Sequence, residues 1–344
     1  MEKLDIASMT LPELETLFAG LGQPKFRAKQ TYKWLRCGVT DFDQMTDLPL
    51  TLRDTLRERA LIRGVRIVRR LVSKIDGTVK YLYALHDGET VESVLMHYEH
   101  GYTVCISTQV GCRMGCSFCA SGIDGLKRNL TASEMLAQVF TAGQDNDIRV
   151  SNVVMMGMGE PLDNFENSLR FLQLVTAEEG LHIGMRHISL STSGVVTGIQ
   201  RLKEYNLPIT LSVSLHAPND TIRSSIMPVN RKWGVEPLLS ACKEYQSVTT
   251  RRISFEYALI DGVNDSDDCA FELAHRLKGL LCHVNLIPAN PVNENSFQKP
   301  DHKKILHFQA LLAANGINAT IRRTLGADIN ASCGQLRRHA ERLV

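Results

Sequence analysis

From about residue 100 onward, short apolar segments with strand character alternate with helical patterns at a regular beat, and no other feature restricts the fold of this chain as tightly. Strand patterns fall at 103–110, 152–156, 186–191, 208–215, 252–259, 282–287 and 318–323. Helical periodicity fills the intervals at 131–143, 164–178, 195–205, 235–248, 266–280 and 302–315, with Thr131, Asn164 and Asp301 as N-cap candidates. Segments such as NVVMM and ITLSVSL are apolar on both faces, as strands of a parallel sheet covered by helices must be. Right-handed crossovers curl such a sheet, so the expected fold class is α/β, a partial (βα)6 barrel with a closing strand.

The first hundred residues read differently. Leu11, Leu14 and Leu17 stand at helical spacing and are followed by KFRAKQTYKWL, which predicts a small helical module over residues 1–60. Over 61–98 the stretches VRIVRRLV, VKYLYAL and VESVLMHY alternate and are separated by Asp76-Gly77 and Asp87-Gly88, the turn chemistry of β-hairpins. The core with its C-terminal loop is then expected over 99–344. With 44% hydrophobic and 22% charged residues in 344, the composition is that of an ordinary globular protein. No apolar run is long enough to span a bilayer and the N-terminus lacks a basic-then-apolar leader, so a cytoplasmic protein without membrane association is expected. Net charge is +2, from 39 basic and 37 acidic residues, but between Arg53 and Lys74 eight basic residues face two acidic ones. Such a stripe fits either phosphate contact or a solvated face.

In parallel α/β folds, sites form at the carboxyl ends of the strands, and the unusual segments of this chain fall there. A cysteine cluster follows the first strand, Gly157-Met158-Gly159-Glu160-Pro161 the second and Ser191-Thr192-Ser193-Gly194 the third. Ser214-Leu215-His216 ends the fourth, Asn290 follows the sixth and Cys333 lies beyond the seventh. The nine cysteines, an odd number without a secretory leader, suggest metal or redox work rather than a disulfide scaffold. Cys112-x3-Cys116-x2-Cys119 sets three thiolates on one loop, with Gly111 and Gly115 easing its path. A four-iron cluster normally takes four cysteines, so three leave one iron open to an exogenous ligand. A structural zinc site in a non-catalytic RNA-binding protein is the competing reading, although zinc sites usually use other spacings.

Cys-x3-Cys-x2-Cys after the first strand of a (βα) barrel resembles the radical S-adenosylmethionine (SAM) superfamily. More narrowly, VCISTQVGC, GMGEP, SLSTSGV, SLHAPND, CHVNLIPANP and DINASCGQL are similar, in order and spacing, to the RlmN methyltransferases, which methylate carbon 2 of adenosine in 23S rRNA and in certain tRNAs. Pro161 after Gly-Met-Gly-Glu and Val110 in Gln109-Val110-Gly111 look more like this branch than like the sister family Cfr, which methylates carbon 8. The resemblance implies one [4Fe-4S] cluster on Cys112, Cys116 and Cys119 and two SAM molecules per turnover. It implies that Cys333 carries a methyl group, that a methylene radical on its sulfur adds to the ring, and that Cys105 resolves the protein–RNA adduct, leaving a disulfide with Cys333. Glu92 matches the proton-handling glutamate, and Gly159, Glu160, Ser191, Ser214, Leu215, His216 and Asn290 match SAM contacts. A radical route suits the target, because an electron-poor ring carbon and the electrophilic methyl of SAM would not combine by polar transfer.

A base held in folded RNA must be exposed before it reacts. Candidates for phosphate contact and stacking are Lys25, Arg27, Lys29 and Lys33 with Phe26, Tyr32 and Trp34, the Arg53–Lys74 stripe, and Arg322 with Arg323. Phe26 and Trp34 also suit the core of the helical module. The expected partners are 23S rRNA, tRNA and an electron donor such as flavodoxin or ferredoxin, and the expected state is a monomer.

Overall fold

The computed structural model describes residues 3–292 and 295–338. Ten strands form one continuous sheet whose order in space is their order in the chain. They are β1 (Arg66–Val72), β2 (Val79–Ala84), β3 (Thr90–Tyr98), β4 (Gly101–Cys105), β5 (Val150–Met155), β6 (Ile188–Thr192), β7 (Thr210–Ser214), β8 (Ile253–Leu259), β9 (Cys282–Pro288) and β10 (Ala319–Ile321). Pairing is antiparallel from β1 to β4 and parallel from β4 to β10. The parallel part is the expected α/β architecture, and the β-hairpins extend its sheet rather than forming a separate one. At the junction, Cys105 pairs with Val94 on one side and Val154 on the other.

Helices α1 (Leu11–Gly20), α2 (Lys25–Arg36) and α3 (Leu50–Arg59) precede the sheet, and α4 (Ala132–Asp145), α5 (Phe165–Val175), α6 (Val196–Glu204), α7 (Asp220–Ile226), α8 (Val235–Thr249), α9 (Asp267–Leu277) and α10 (His302–Ala314) are interleaved with its parallel strands. The N-terminal helices share a core of Leu14, Phe18, Leu35, Leu52 and Leu56. Their module is tied to the sheet's helices by Arg170, whose guanidinium donates to both oxygens of Glu13 at 2.7 and 2.8 Å, and by Ser133, which donates to Asp5 at 2.6 Å. Val104, Val153, Leu190, Val213, Phe255 and Leu286 bring consecutive strands into one main core. Among the described residues, no helix is long and apolar enough to cross a membrane.

Several local expectations are corrected. The strand expected at 103–110 ends at Cys105. Ser107 then exchanges two hydrogen bonds with the Gln138 side chain on α4, both 2.9 Å, which draws the backbone out of the sheet. Residues Gln109–Gly111 instead pair with Leu126–Asn129 in a ribbon that brackets the cysteine loop. The seven-residue helix α7, too short to show a period, was not anticipated; Asn219 caps it by accepting the Ile222 amide. Thr131 and Asp301 cap as expected, but Asn164 turns inward and donates to the carbonyls of Thr108 and Leu130, both at 2.8 Å.

The basic stripe does not form one face. Arg57 pairs with Asp43 and Asp54, and Arg70 with Asp145, each at 2.7 Å. Arg66, Arg69 and Arg70 lie exposed on the open edge strand β1, where charge opposes edge-to-edge association. Behind that edge, β2 and β3 are buried on both faces, because the C-terminal loop covers one of them. Asp76 accepts the Gly326 amide at 2.9 Å, and Asp328 accepts that of Lys74 at 2.9 Å.

Candidate functional site

The cysteine loop takes its shape from backbone constraints. Gly111 has φ +76°, and a Cβ there would lie 1.9 Å from the Gly125 carbonyl oxygen, which also accepts the Cys112 amide at 3.2 Å. The loop is closed internally by the Cys119 amide on the Cys116 carbonyl, at 3.1 Å, and anchored to α7 by the Ser117 amide on the Ile226 carbonyl, at 3.0 Å. Cys112, Cys116 and Cys119 thereby line one wall of a cleft at the carboxyl ends of the strands. Among the described residues, no three His, Cys, Asp or Glu side chains converge to hold a single metal ion. Three sulfurs on one wall of a roomy cleft fit a polynuclear iron–sulfur cluster with one iron facing the space in front.

The opposite walls come from the strand ends. Gly159, Glu160, Ser191, Ser214, His216 and Asn290 all line the cleft, as the sequence placed them. Leu215 does not; it is fully buried and presents its carbonyl to Arg223. Gly159 has φ +99°, and a Cβ there would lie 2.6 Å from that of Gln109, so this segment packs against the entry to the cysteine loop. Glu160 is buried, which raises its pKa, although its two oxygens accept the amides of Leu162 (3.0 Å) and Ser193 (2.6 Å). His216 sits in the left-handed region at φ +56°, and its Nδ1 accepts the Ala258 amide at 2.9 Å. Burial, with Arg223 adding, lowers its pKa to about 3, so the ring is neutral; Phe118 of the cysteine loop meets it edge-on, 4.8 Å between centroids. Of the buried polar atoms on the cleft wall, Ser193 Oγ has no hydrogen-bond partner, and Glu256 Oε2 has none, its ion pair with Arg322 being longer, at 3.6 Å. Buried polar atoms are nearly always satisfied, so these fit a polar ligand such as the amino acid and ribose portions of SAM.

A second, small cavity adjoins the cleft and is lined by both Cys105 and Cys333; Cys333, Asn290 and Arg322 line both spaces. Cys105 is buried, which pushes its pKa up to about 12. Cys333 is held from two sides. Asn290 donates to its carbonyl at 3.0 Å, and the next residue, Gly334, accepts the Ala120 amide at 2.7 Å. Arg322, a candidate for phosphate contact, lines the cleft beside Cys333, with its guanidinium 3.6 Å from Glu256 Oε2. The neighbouring Cys333 first, and Glu256 as well, raise its pKa against the opposing effect of burial. Glu92 lines neither space. It lies in a third, polar pocket, with Lys80 Nζ 2.9 Å from Oε1 and the Arg337 amide donating to Oε2 at 2.9 Å.

Sequence reading missed Glu256, the orphaned Ser193 hydroxyl and Arg223. Arg223 is fully buried and donates to the carbonyls of Leu215 (3.0 Å), Ser193 (2.6 Å) and Ser214 (3.2 Å), clamping the ends of β6 and β7. Burial lowers its pKa to about 10, which leaves it a cation. The only cue was the arginine just after Ser-Leu-His-Ala-Pro-Asn-Asp, with nothing to mark it as internal. On α2, Phe26 is 53% exposed with Arg27 over its ring at 4.8 Å, so it is not core; Tyr32 is core, and Trp34 donates to Asp47 at 2.6 Å. Lys25, Lys29, Lys33 and Arg323 are exposed.

Comparison with known proteins agrees with this geometry. Residues 106–274 match the Radical SAM superfamily, and residues 4–62 match the Ribosomal RNA large subunit methyltransferase N-terminal domain. The chain is 53% identical over 338 residues to the probable dual-specificity RNA methyltransferase RlmN of Alkaliphilus oremlandii, covering 98% of each chain. It is 48% identical over 336 residues to that of Clostridium novyi, covering 97% of this chain and 98% of the relative. A crystal structure of a radical SAM methyltransferase from Sphaerobacter thermophilus superposes with a TM-score of 0.92 at 48% identity, covering 97% of this chain and 99% of the other.

Proposed function

This chain belongs to the RlmN family of radical SAM RNA methyltransferases, and on that premise we propose that it methylates carbon 2 of an adenosine in 23S rRNA and in tRNA through a covalent adduct on Cys333. The observation that carries the reading is the shared cavity of Cys105 and Cys333, open to the cleft that the cysteine trio lines. When bound by Cys112, Cys116 and Cys119, a [4Fe-4S] cluster supplies the electron that cleaves SAM.

The chain's own residues do the rest. Glu160, Ser193, Glu256 and the ends of β6 and β7 offer acceptors for the ammonium and hydroxyl groups of SAM, with Gly159, Ser191, Ser214 and His216 shaping the same wall. Cys333 receives a methyl group on sulfur from one SAM; a hydrogen atom of that methyl would pass to the 5′-deoxyadenosyl group of a second, cleaved SAM, and the methylene radical left on the sulfur adds to the ring carbon. Once the ring has given up its unpaired electron, for which the oxidised cluster would be the acceptor, Glu92 takes the hydrogen from the substituted ring carbon as a proton. Cys105 then attacks the Cys333 sulfur: an S–S bond forms, the C–S bond breaks, and its electron pair leaves with the carbon, which is protonated to the product methyl. Cys105 must lose its proton for that attack, and burial disfavours the thiolate. The guanidinium of Arg322 on the wall of the same cavity opposes that penalty. A donor of the flavodoxin or ferredoxin type would restore the cluster electron, and the exposed Lys25, Lys29 and Lys33 suit RNA phosphates.

The test is the intact mass of Cys105→Ala, purified anaerobically and treated with nuclease. A nucleotide remnant on Cys333 is expected, and digestion of methylated RNA should yield 2-methyladenosine. An unmodified mass in protein that carries the cluster would overturn the two-cysteine route, and 8-methyladenosine would overturn the choice of ring carbon.

A further inference from the structure

Lys80 is charged yet only 7% exposed, and nothing in the reaction outlined above uses it. It lies on β2 opposite Val94, while Glu92 lies opposite Leu82, so the two are diagonal neighbours on one sheet face. Its ammonium stands 2.9 Å from Glu92 Oε1 and also donates to the Asn330 carbonyl at 2.9 Å. Glu92 is itself 3% exposed.

The two carboxylate oxygens are held by unlike partners. Oε1 faces an ammonium on the adjacent strand of the same sheet, whereas Oε2 accepts the amide of Arg337 from the irregular C-terminal loop. For Glu92 to accept a ring proton, one oxygen must turn from its present partner to substrate. The Arg337 amide belongs to an irregular loop, whereas strand pairing places Lys80 beside Glu92. The Asn330 contact adds a link from the same ammonium to the segment that carries Cys333, three residues on.

We infer that Lys80 is a positioning residue, which holds Glu92 by Oε1 so that Oε2 can leave the Arg337 amide and meet the substrate ring on the sulfur of Cys333. The inference rests on the proposed role of Glu92. Lys80 touches no reacting atom.

The experiment compares Lys80→Met, Lys80→Arg, Glu92→Gln and the Lys80→Met/Glu92→Gln double variant as anaerobic, cluster-loaded enzyme. Methylation of Cys333 by SAM, read from the mass of its tryptic peptide, precedes any use of Glu92 and reports that the site has folded. Lys80→Met should retain that methylation, lose RNA turnover by roughly a hundredfold, as removal of general-base help does, and accumulate the RNA adduct with little change in KM for RNA. Lys80→Arg should recover most of the turnover, and the double variant should be no slower than Glu92→Gln alone. Wild-type turnover in Lys80→Met, or additive losses in the double variant, would overturn the inference. So would loss of Cys333 methylation in Lys80→Met, since it would assign Lys80 to folding alone. Failure of the underlying reading looks different: Glu92→Gln itself would then turn over normally and accumulate no adduct.

Discussion

The carbonyl of Gly334 accepts the backbone amide of Ala120 at 2.7 Å, seating the loop that carries Cys333 directly on the end of the loop that carries Cys112, Cys116 and Cys119. A further bond crosses the seam, Ser121 Oγ donating to the Leu336 carbonyl at 2.6 Å, and Asn290, just beyond β9, supports it by holding the Cys333 carbonyl. Gly334 is needed there because its φ is +82° and a Cβ would meet the Phe118 carbonyl at 3.2 Å. The methyl-carrying and cluster-binding cysteines assigned by the proposed function therefore move as one assembly, and perturbing either loop should be felt at the other.

Loosening the seam should expose Cys333. Asn290→Ala removes one hydrogen bond of about 1 kcal/mol from its carbonyl. Alkylation of Cys333 by iodoacetamide, followed by peptide mass, should quicken about fivefold, the factor that such an energy corresponds to. An unchanged rate would show that the seam holds without Asn290.

Gly111 and Gly115 both adopt positive φ, but only Gly111 is crowded. A Cβ at Gly111 would lie 1.9 Å from the Gly125 carbonyl oxygen, while one at Gly115 meets nothing nearer than Pro228 Cγ at 3.6 Å. Gly111→Ala should abolish iron loading, and Gly115→Ala, facing only a conformational penalty of roughly 1–2 kcal/mol, should retain most of it. Iron and sulfide analysis of anaerobically purified protein distinguishes the two; equal loading would refute the distinction.

Arg223 is the clamp on the strand ends, and it is itself fully buried. Arg223→Met should destabilise the fold by roughly 3–5 kcal/mol, because three carbonyls lose their donor at once. The urea midpoint should fall accordingly, and weaker SAM binding should accompany it, since the carbonyls of Ser193 and Ser214 belong to residues of the cleft wall. A midpoint matching that of the parent chain would remove Arg223 from this role.

His216 makes stability depend on pH. Its folded pKa of about 3 lies below the ordinary value of 6.5, so between these values the unfolded chain binds the extra proton. Its stabilisation is complete above pH 6.5 and is lost as pH falls toward 3, by about 1.4 kcal/mol per pH unit. In His216→Asn, chosen because asparagine tolerates the left-handed backbone, the loss of unfolding free energy between pH 7 and pH 5 should shrink by about 2 kcal/mol. An identical pH slope in both proteins would contradict a buried neutral imidazole.

Much of this arrangement was readable before folding was considered. Apolar periodicity is local, so the alternation of strands and helices could be followed from residue 100 onward, and parallel strands necessarily send their carboxyl ends to one side. That suffices to gather the cysteine trio, the Gly159–Glu160 segment, Ser191, Ser214, His216, Asn290 and Cys333 at one mouth. Its failures were local as well. Hydrogen bonds from Gln138 end β4 early, and α7 is shorter than any period that could reveal it.

Tertiary structure alone decided which polar groups face one another across long stretches of chain. Lys80 meets Glu92 and the Asn330 carbonyl, Arg322 meets Glu256, and Arg223 turns inward to three carbonyls instead of outward to solvent. A charged residue reads alike in sequence whether it ends in water or in the interior. Only the packing of distant segments fixes its dielectric surroundings and partners, and hence whether it carries charge into a site or merely keeps the surface wet.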